Sequence, residues 1–277
     1  MDNDELTSPP PPSFDPPPVV EPPPTLDTVA SLDLRGEEPP PGTWLDLLLI
    51  VVASVFAMLA GGVLVAIYSL AIRRISLETL KTDARLVVAF QIVIYALTLG
   101  VMYLVTRSHR RPFWRAVRWT WPRAGASLGF LLAGAPLAIV ITLLQNVLPV
   151  PKEVPFEKLL NSLPAVYSIG VLAIVVAPFM EELFFRGYLY PLLKRHGDIA
   201  AVVITSAAFA LMHGSQYGWA WTILLLMFLV GLALTGTRSL TGSLVPCVLL
   251  HVGYNATLFS FMYFATDHFR HLEKMTR

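Results

Sequence analysis

The sequence predicts an all-α membrane protein, a polytopic bundle of about seven transmembrane helices. Hydrophobic residues fill 55% of its 277 positions and charged residues only 14%, whereas a soluble domain averages roughly 45–50% apolar and 25% charged residues. Apolar runs such as Leu45–Ile72 are long enough to cross a hydrocarbon layer of about 30 Å at about 1.5 Å per helical residue. This composition argues against a water-soluble fold. No continuous basic groove is visible, so no nucleic-acid partner is expected; the expected environment is the lipid bilayer.

Residues 1–42 read as a proline-rich acidic tail. They hold 13 of the 23 prolines and nine acids against one base, Arg35, so the tail carries about −8 and the remainder about +9. Proline removes backbone donors and favours extended chain. A disordered, solvated spacer is expected, with a ligand for polyproline-reading domains as the alternative. The acidic, polar opening does not look like a cleavable signal peptide, and the first span is expected to act as its own insertion signal.

Residues 43–160 read as N-terminal transmembrane helices with an interfacial basic segment. The spans are Leu45–Ile72, Leu86–Thr106 and Ser127–Leu148. Between the second and third lie Arg107, Arg110, Arg111, Arg115, Arg118 and Arg123 among Trp114, Trp119 and Trp121, the composition of a cytoplasmic membrane interface. That segment argues for an N-terminus inside, while Arg73, Arg74, Lys81 and Arg85 in the preceding loop argue the other way. Residues 149–164 read as a short amphipathic connector lying on the surface. The core, residues 161–262, carries four more spans: Ala165–Leu193, Ile199–His213, Ala220–Thr237 and Leu244–Ala265. Residues 263–277 form a C-terminal tail. The single cysteine, Cys247, permits no internal disulfide and no multi-cysteine zinc site.

Chemistry is sought where ionisable groups enter these spans, because a charge at the centre of a membrane helix costs roughly 2.5–3.5 kcal/mol on insertion scales. Glu181 and Glu182 are adjacent in the fourth span. Glu182 stands four residues before Arg186 in the favourable orientation for a helical ion pair, so it reads as structural. Glu181 points about 100° away and is left without a local partner, the better candidate for proton chemistry. His213 closes the fifth span, and His251 and Asn255 share one face of the seventh. If these faces converge, two readings are open: a divalent metal such as zinc held by Glu181, His213 and His251, or a water activated by Glu181 and His213 with His251 and Asn255 donating to an oxyanion. The chain shows no His-Glu-x-x-His helix, no Gly-x-Ser-x-Gly elbow and no Walker-type loop. The aromatic group Phe179, Phe184, Phe185, Tyr188 and Tyr190 reads as helix packing, with some members available to line an apolar groove.

Three motifs in order, Glu-Glu-x-x-x-Arg at Glu181, Glu182 and Arg186, Phe-x-x-x-His at Phe209 and His213, and His-x-x-x-Asn at His251 and Asn255, resemble the CAAX prenyl protease type II and bacteriocin-processing (CPBP, or Abi) family of intramembrane metalloproteases. The resemblance covers roughly residues 160–260. It implies an all-helical protease core whose last four helices enclose a conical cavity, and an endopeptidase acting on a membrane-associated peptide or protein. It also implies catalytic roles for Glu181, His213, His251 and Asn255, with Glu182, Arg186 and Phe209 supporting them. A zinc ion is implied by the family's usual classification, while the family's mechanism is also described without one. A bacterial inner membrane is the expected location. The alternatives are a non-enzymatic membrane scaffold or bacteriocin-immunity protein and, in a different class, a proton-coupled transporter, against which no internal repeat is visible.

Overall fold

A computed structural model describes residues 39–73, 83–151 and 154–271. Expectations for the tail up to residue 38, for Arg74, Lys81, Lys152 and Glu153, and for residues 272–277 fall outside the described residues. Among these the protein is all-helical, with no strand.

Among the described residues, six helices are long and apolar enough to cross a membrane: α1 (Trp44–Ala71), α2 (Ala84–Ser108), α3 (Ala124–Val147), α4 (Leu163–Lys194), α6 (Trp221–Thr241) and α7 (Val245–Ala265). The seventh expected helix, α5 (Asp198–Met212), is apolar but only 15 residues long. Local chemistry sets several of the ends. Thr43 and Asp46 form a reciprocal capping box at the start of α1. The Asp83 carboxylate accepts from the amide of Arg85 to cap α2. α6 stops at Gly242, whose φ of 66° is the left-handed conformation that glycine adopts without a Cβ clash.

The helix that carries the glutamates is continuous but not uniform. Within α4, Leu172–Val176 and Leu183–Leu189 are wound as π-helix, flanking the α-helical turn Ala177–Glu182. Such wide turns are uncommon and recur at functional sites. Here they bracket both acids.

Successive crossings sort the connections onto two faces. The basic face holds the start of α1, the Arg/Trp segment, the α4–α5 turn and the α6–α7 turn. His109 Nε2 meets Asp46 Oδ2 at 2.8 Å, and the Leu244 amide donates to Arg118 O at 3.0 Å. The opposite face holds the short 3-10 helix Pro155–Leu159 and the loop after α5, joined by Phe156 N to Gln216 O at 3.1 Å. The connector 149–164 therefore does more than lie on the surface. Val154 and Leu160 are buried, and the segment docks on the loop.

Without water between them, membrane helices associate by close packing, which favours small residues. α3 and α7 show this most strongly. A Cβ added at Gly253 would lie 1.9 Å from Leu131 O, and one at Gly134 would lie 2.2 Å from Tyr254 N, so the two backbones touch. Nothing lies within 4 Å of the corresponding position at Gly129. Gly253→Val is expected to lower stability by about 3 kcal/mol or more, read as a fall in the thermal midpoint in detergent, while Gly129→Val leaves that midpoint unchanged.

Candidate functional site

The site is assembled from the middle of α4 outward. Glu182 and Arg186 are wholly buried and paired at 3.0 Å, as their spacing predicts. The guanidinium then ties α4 to α6: its Nε donates to Thr235 Oγ1 at 3.0 Å and its Nη2 to Gly231 O at 3.1 Å. Gly231 suits this place because α5 crosses it closely; a Cβ there would meet Ser206 at 3.0 Å. Phe209 is buried and lies under the cation, 4.7 Å from ring centroid to guanidinium carbon, and packs against the rings of His213 and His251. It supports all three groups at once.

The structure changes one assignment. Glu182 is not Arg186's partner alone: its Oε1 also accepts from His251 Nδ1 at 2.9 Å. Both glutamates therefore address His251, Glu182 directly and Glu181 across a gap. Glu181 Oε2 lies 3.9 Å from His213 Nε2 and 3.9 Å from His251 Nε2. His213 Nδ1 faces Phe209 O at 2.8 Å. A carbonyl can only accept, so Nδ1 carries a hydrogen and Nε2 is the nitrogen turned to Glu181, presenting a lone pair whenever the ring is neutral. His251 likewise directs Nδ1 at a carboxylate, that of Glu182, and turns Nε2 toward Glu181. Two imidazole nitrogens and one carboxylate oxygen thus converge on one small space.

Asn255 Nδ2 donates to Ala173 O at 2.7 Å, and the reason lies in the neighbouring wide turn. The Ala177 amide reaches back five residues to Leu172 O. In that register the next donor, due to meet Ala173 O, is the nitrogen of Pro178, which carries no hydrogen. The carbonyl is orphaned inside the bundle, and Asn255 satisfies it. The second hydrogen of the amide remains for other use.

Glu181, His213, His251 and Asn255 all line one cavity of about 470 Å³. Its walls are mainly apolar, and Glu181 is the one carboxylate among the lining residues. The last four helices do not enclose it by themselves. α2 contributes Gln91 and Tyr95, and the connector contributes Phe156, Leu159 and Leu160. None of the aromatic group Phe179, Phe184, Phe185, Tyr188 and Tyr190 lines it; Tyr188 instead donates to Met102 O at 2.7 Å and locks α4 to α2. His196, His268 and His271 stand exposed, away from it. Sequence reasoning passed over Gln91 and Tyr95, although two polar residues four apart in an apolar span mark one inward face. Gln216 and Tyr217, in the loop after α5, gave no periodic signal at all. Burial, with Glu181 and Glu157 nearby, pushes the Tyr217 hydroxyl up to about 12, so it stays a protonated donor at neutral pH.

The donor set has the chemistry of a zinc site, with each imidazole fixed through Nδ1 by a carbonyl or carboxylate. Its spacing is different. Ligands on a tetrahedral zinc at about 2.0–2.1 Å stand about 3.3 Å apart, less than the 3.9 Å found here, and among the described residues no group of three or more His, Cys, Asp or Glu side chains is placed to hold a metal ion.

Fold and site together define a polytopic helical membrane protein with an acid–imidazole cluster lining a cavity within the bundle. Residues 163–257 match the family model described as Type II CAAX prenyl endopeptidase Rce1-like, with all three motifs inside the matched segment, a likeness that supports the type II CAAX protease (CPBP) family. No curated protein and no solved structure matches the chain.

Two stability predictions follow from the buried contacts. Arg186→Met strands the Glu182 charge and should cost about 3–5 kcal/mol; adding Glu182→Gln to it should recover part of the loss, as read by thermal unfolding. Asn255→Leu leaves Ala173 O without a donor and should cost about 1–3 kcal/mol in the same assay.

Proposed function

We propose that the protein is an intramembrane endopeptidase that hydrolyses a peptide bond of a membrane-associated protein or peptide with a water held between Glu181 and the histidines. The observation that carries this reading is that two acceptors, Glu181 Oε2 and His213 Nε2, stand 3.9 Å apart in the cavity, with His251 Nε2 3.9 Å from the same carboxylate oxygen. Acceptors that close together need hydrogen atoms between them, and a water supplies two.

In the proposed reaction the water donates to Glu181 and to His213 Nε2. Glu181 takes one proton as the water oxygen bonds to the carbonyl carbon of the substrate, and the carbonyl electrons move to its oxygen. His251, when it carries its second proton, donates from Nε2 to that oxyanion; the free amide hydrogen of Asn255 is a second donor. The carbon–nitrogen bond then breaks, and the amine leaves with the proton that Glu181 accepted. Glu182 acts through His251, whose ring it orients. The apolar walls fit a hydrophobic substrate segment and keep bulk water from the intermediate.

Glu181→Gln tests this directly. It is expected to lower cleavage by about 10²–10⁴-fold while the thermal midpoint stays within a few degrees of the wild type. A comparison of membrane peptides from cells carrying each form reads the loss. Unchanged peptide profiles would favour a non-enzymatic scaffold or immunity role, and pH-driven solute uptake into vesicles would favour a transporter. In this mechanism the water needs no metal, so cleavage is also expected to survive incubation with a strong divalent-metal chelator; abolition by the chelator and rescue by zinc would overturn the water-only mechanism.

A further inference from the structure

From an arginine the reaction does not use, we infer that the basic face holds a binding site for the phosphate group of an anionic phospholipid, built from Arg238 on α6 and Arg118 in the Arg/Trp segment. Arg238 is 3% exposed, and at that depth a guanidinium is normally paired with an acid. Among the described residues no carboxylate pairs with it. Asp198, one helix away, accepts instead from Tyr190 OH at 2.5 Å and Ser239 Oγ at 2.5 Å. Arg238 makes one hydrogen bond, from Nε to the main-chain carbonyl of Arg186 at 3.1 Å, and its guanidinium carbon lies 5.8 Å from the Tyr190 ring.

A second cation is brought to it instead of an anion. Arg118 O accepts from the Leu244 amide at 3.0 Å, which docks the Arg/Trp segment on the turn after α6. The Arg118 Nη1 lies 3.9 Å from where a Cβ of Gly242 would be, and the Gly242 amide donates to Arg238 O at 3.0 Å. The charge of Arg118 acts on Arg238 across this turn. Helix dipoles do not resolve the repulsion, because the negative end of α6 and the positive end of α7 meet within the same few residues and oppose one another.

The amino groups of Arg238 remain open. The sealed, partnerless side-chain atoms among the described residues are Ser69 Oγ, Glu182 Oε2, Thr205 Oγ1 and Tyr254 OH; the terminal nitrogens of Arg238 are not among them, so they are not fully sealed from an incoming ligand. Two arginines at one helix turn, with Trp119 and the exposed Trp121 following Arg118 in the chain, match a phosphate oxyanion at headgroup depth. A lipid phosphate and a free phosphate share that chemistry. The tryptophan belt favours the lipid.

The test is native mass spectrometry of the full chain in detergent, titrated separately with phosphatidylglycerol, phosphatidylcholine and inorganic phosphate. One phosphatidylglycerol is expected to bind at least tenfold more tightly than phosphatidylcholine. Arg118→Gln, whose side chain is partly exposed, and Arg238→Gln should each weaken it about tenfold, while Arg195→Gln, an exposed arginine of the same face, leaves it unchanged. If Arg238→Gln fails to fold, Arg238→Lys, which keeps the charge but loses the two-pronged donor, should still bind more weakly. Displacement of the lipid by millimolar inorganic phosphate would support the site with the free anion as its ligand. Equal affinity for the two lipids, or equal loss in Arg118→Gln and Arg195→Gln, would overturn it.

Discussion

The buried pair of Glu182 and Arg186 is the interaction on which the rest of the site depends. Two charges with no exposure at all are tolerable inside a bundle only when their geometry and remaining hydrogen bonds are satisfied. That demand falls on neighbouring helices. Arg186 spends its donors on Thr235 and Gly231 of α6, and Glu182 receives His251 of α7. Three helices are thereby held in one register around a single ion pair. Glu181, one residue earlier, is left facing the cavity by the same helical turn that seals its neighbour.

The supporting contacts share a logic of displaced main-chain bonds. Wide turns on either side of the acids release carbonyls from the ordinary helical ladder, and Pro178 ensures that one of them, Ala173 O, finds no donor in its own helix. Arg186 O is likewise met from outside, by Arg238. Side chains from α6 and α7 complete α4, so the helix that carries the acids holds its shape only when its neighbours are in place.

Much of this was legible in the sequence, and the limits follow from periodicity. The spans were visible because long apolar runs leave few alternatives, and Glu182–Arg186 was visible because a four-residue spacing brings side chains together in any helix. The convergence of Glu181, His213 and His251 was suggested by three motifs in apolar segments, but the distances depend on packing that no one-dimensional pattern carries. The link from His251 to Glu182 joins residues 69 positions apart, and the role of Asn255 toward Ala173 depends on a local change of helical pitch. Both were invisible. So was the contribution of the connector to the cavity wall, since Phe156 looks ordinary until the chain folds over it, whereas Gln91 and Tyr95 of α2 had left a signal in their four-residue spacing.

The orphaned carbonyl of Ala173 has a consequence for assembly. Sliding α7 by a single residue would swing Asn255 about 100° around its axis, leaving a bare oxygen in a greasy interior at a cost of roughly 1–3 kcal/mol, while the same slip would drive Gly253 off Leu131 and a bulkier residue into it. Misregistered neighbours are thus penalised twice, once by an unmet acceptor and once by steric collision. The last helix proofreads its own docking, and only a correctly seated chain acquires a complete set of polar groups in its interior.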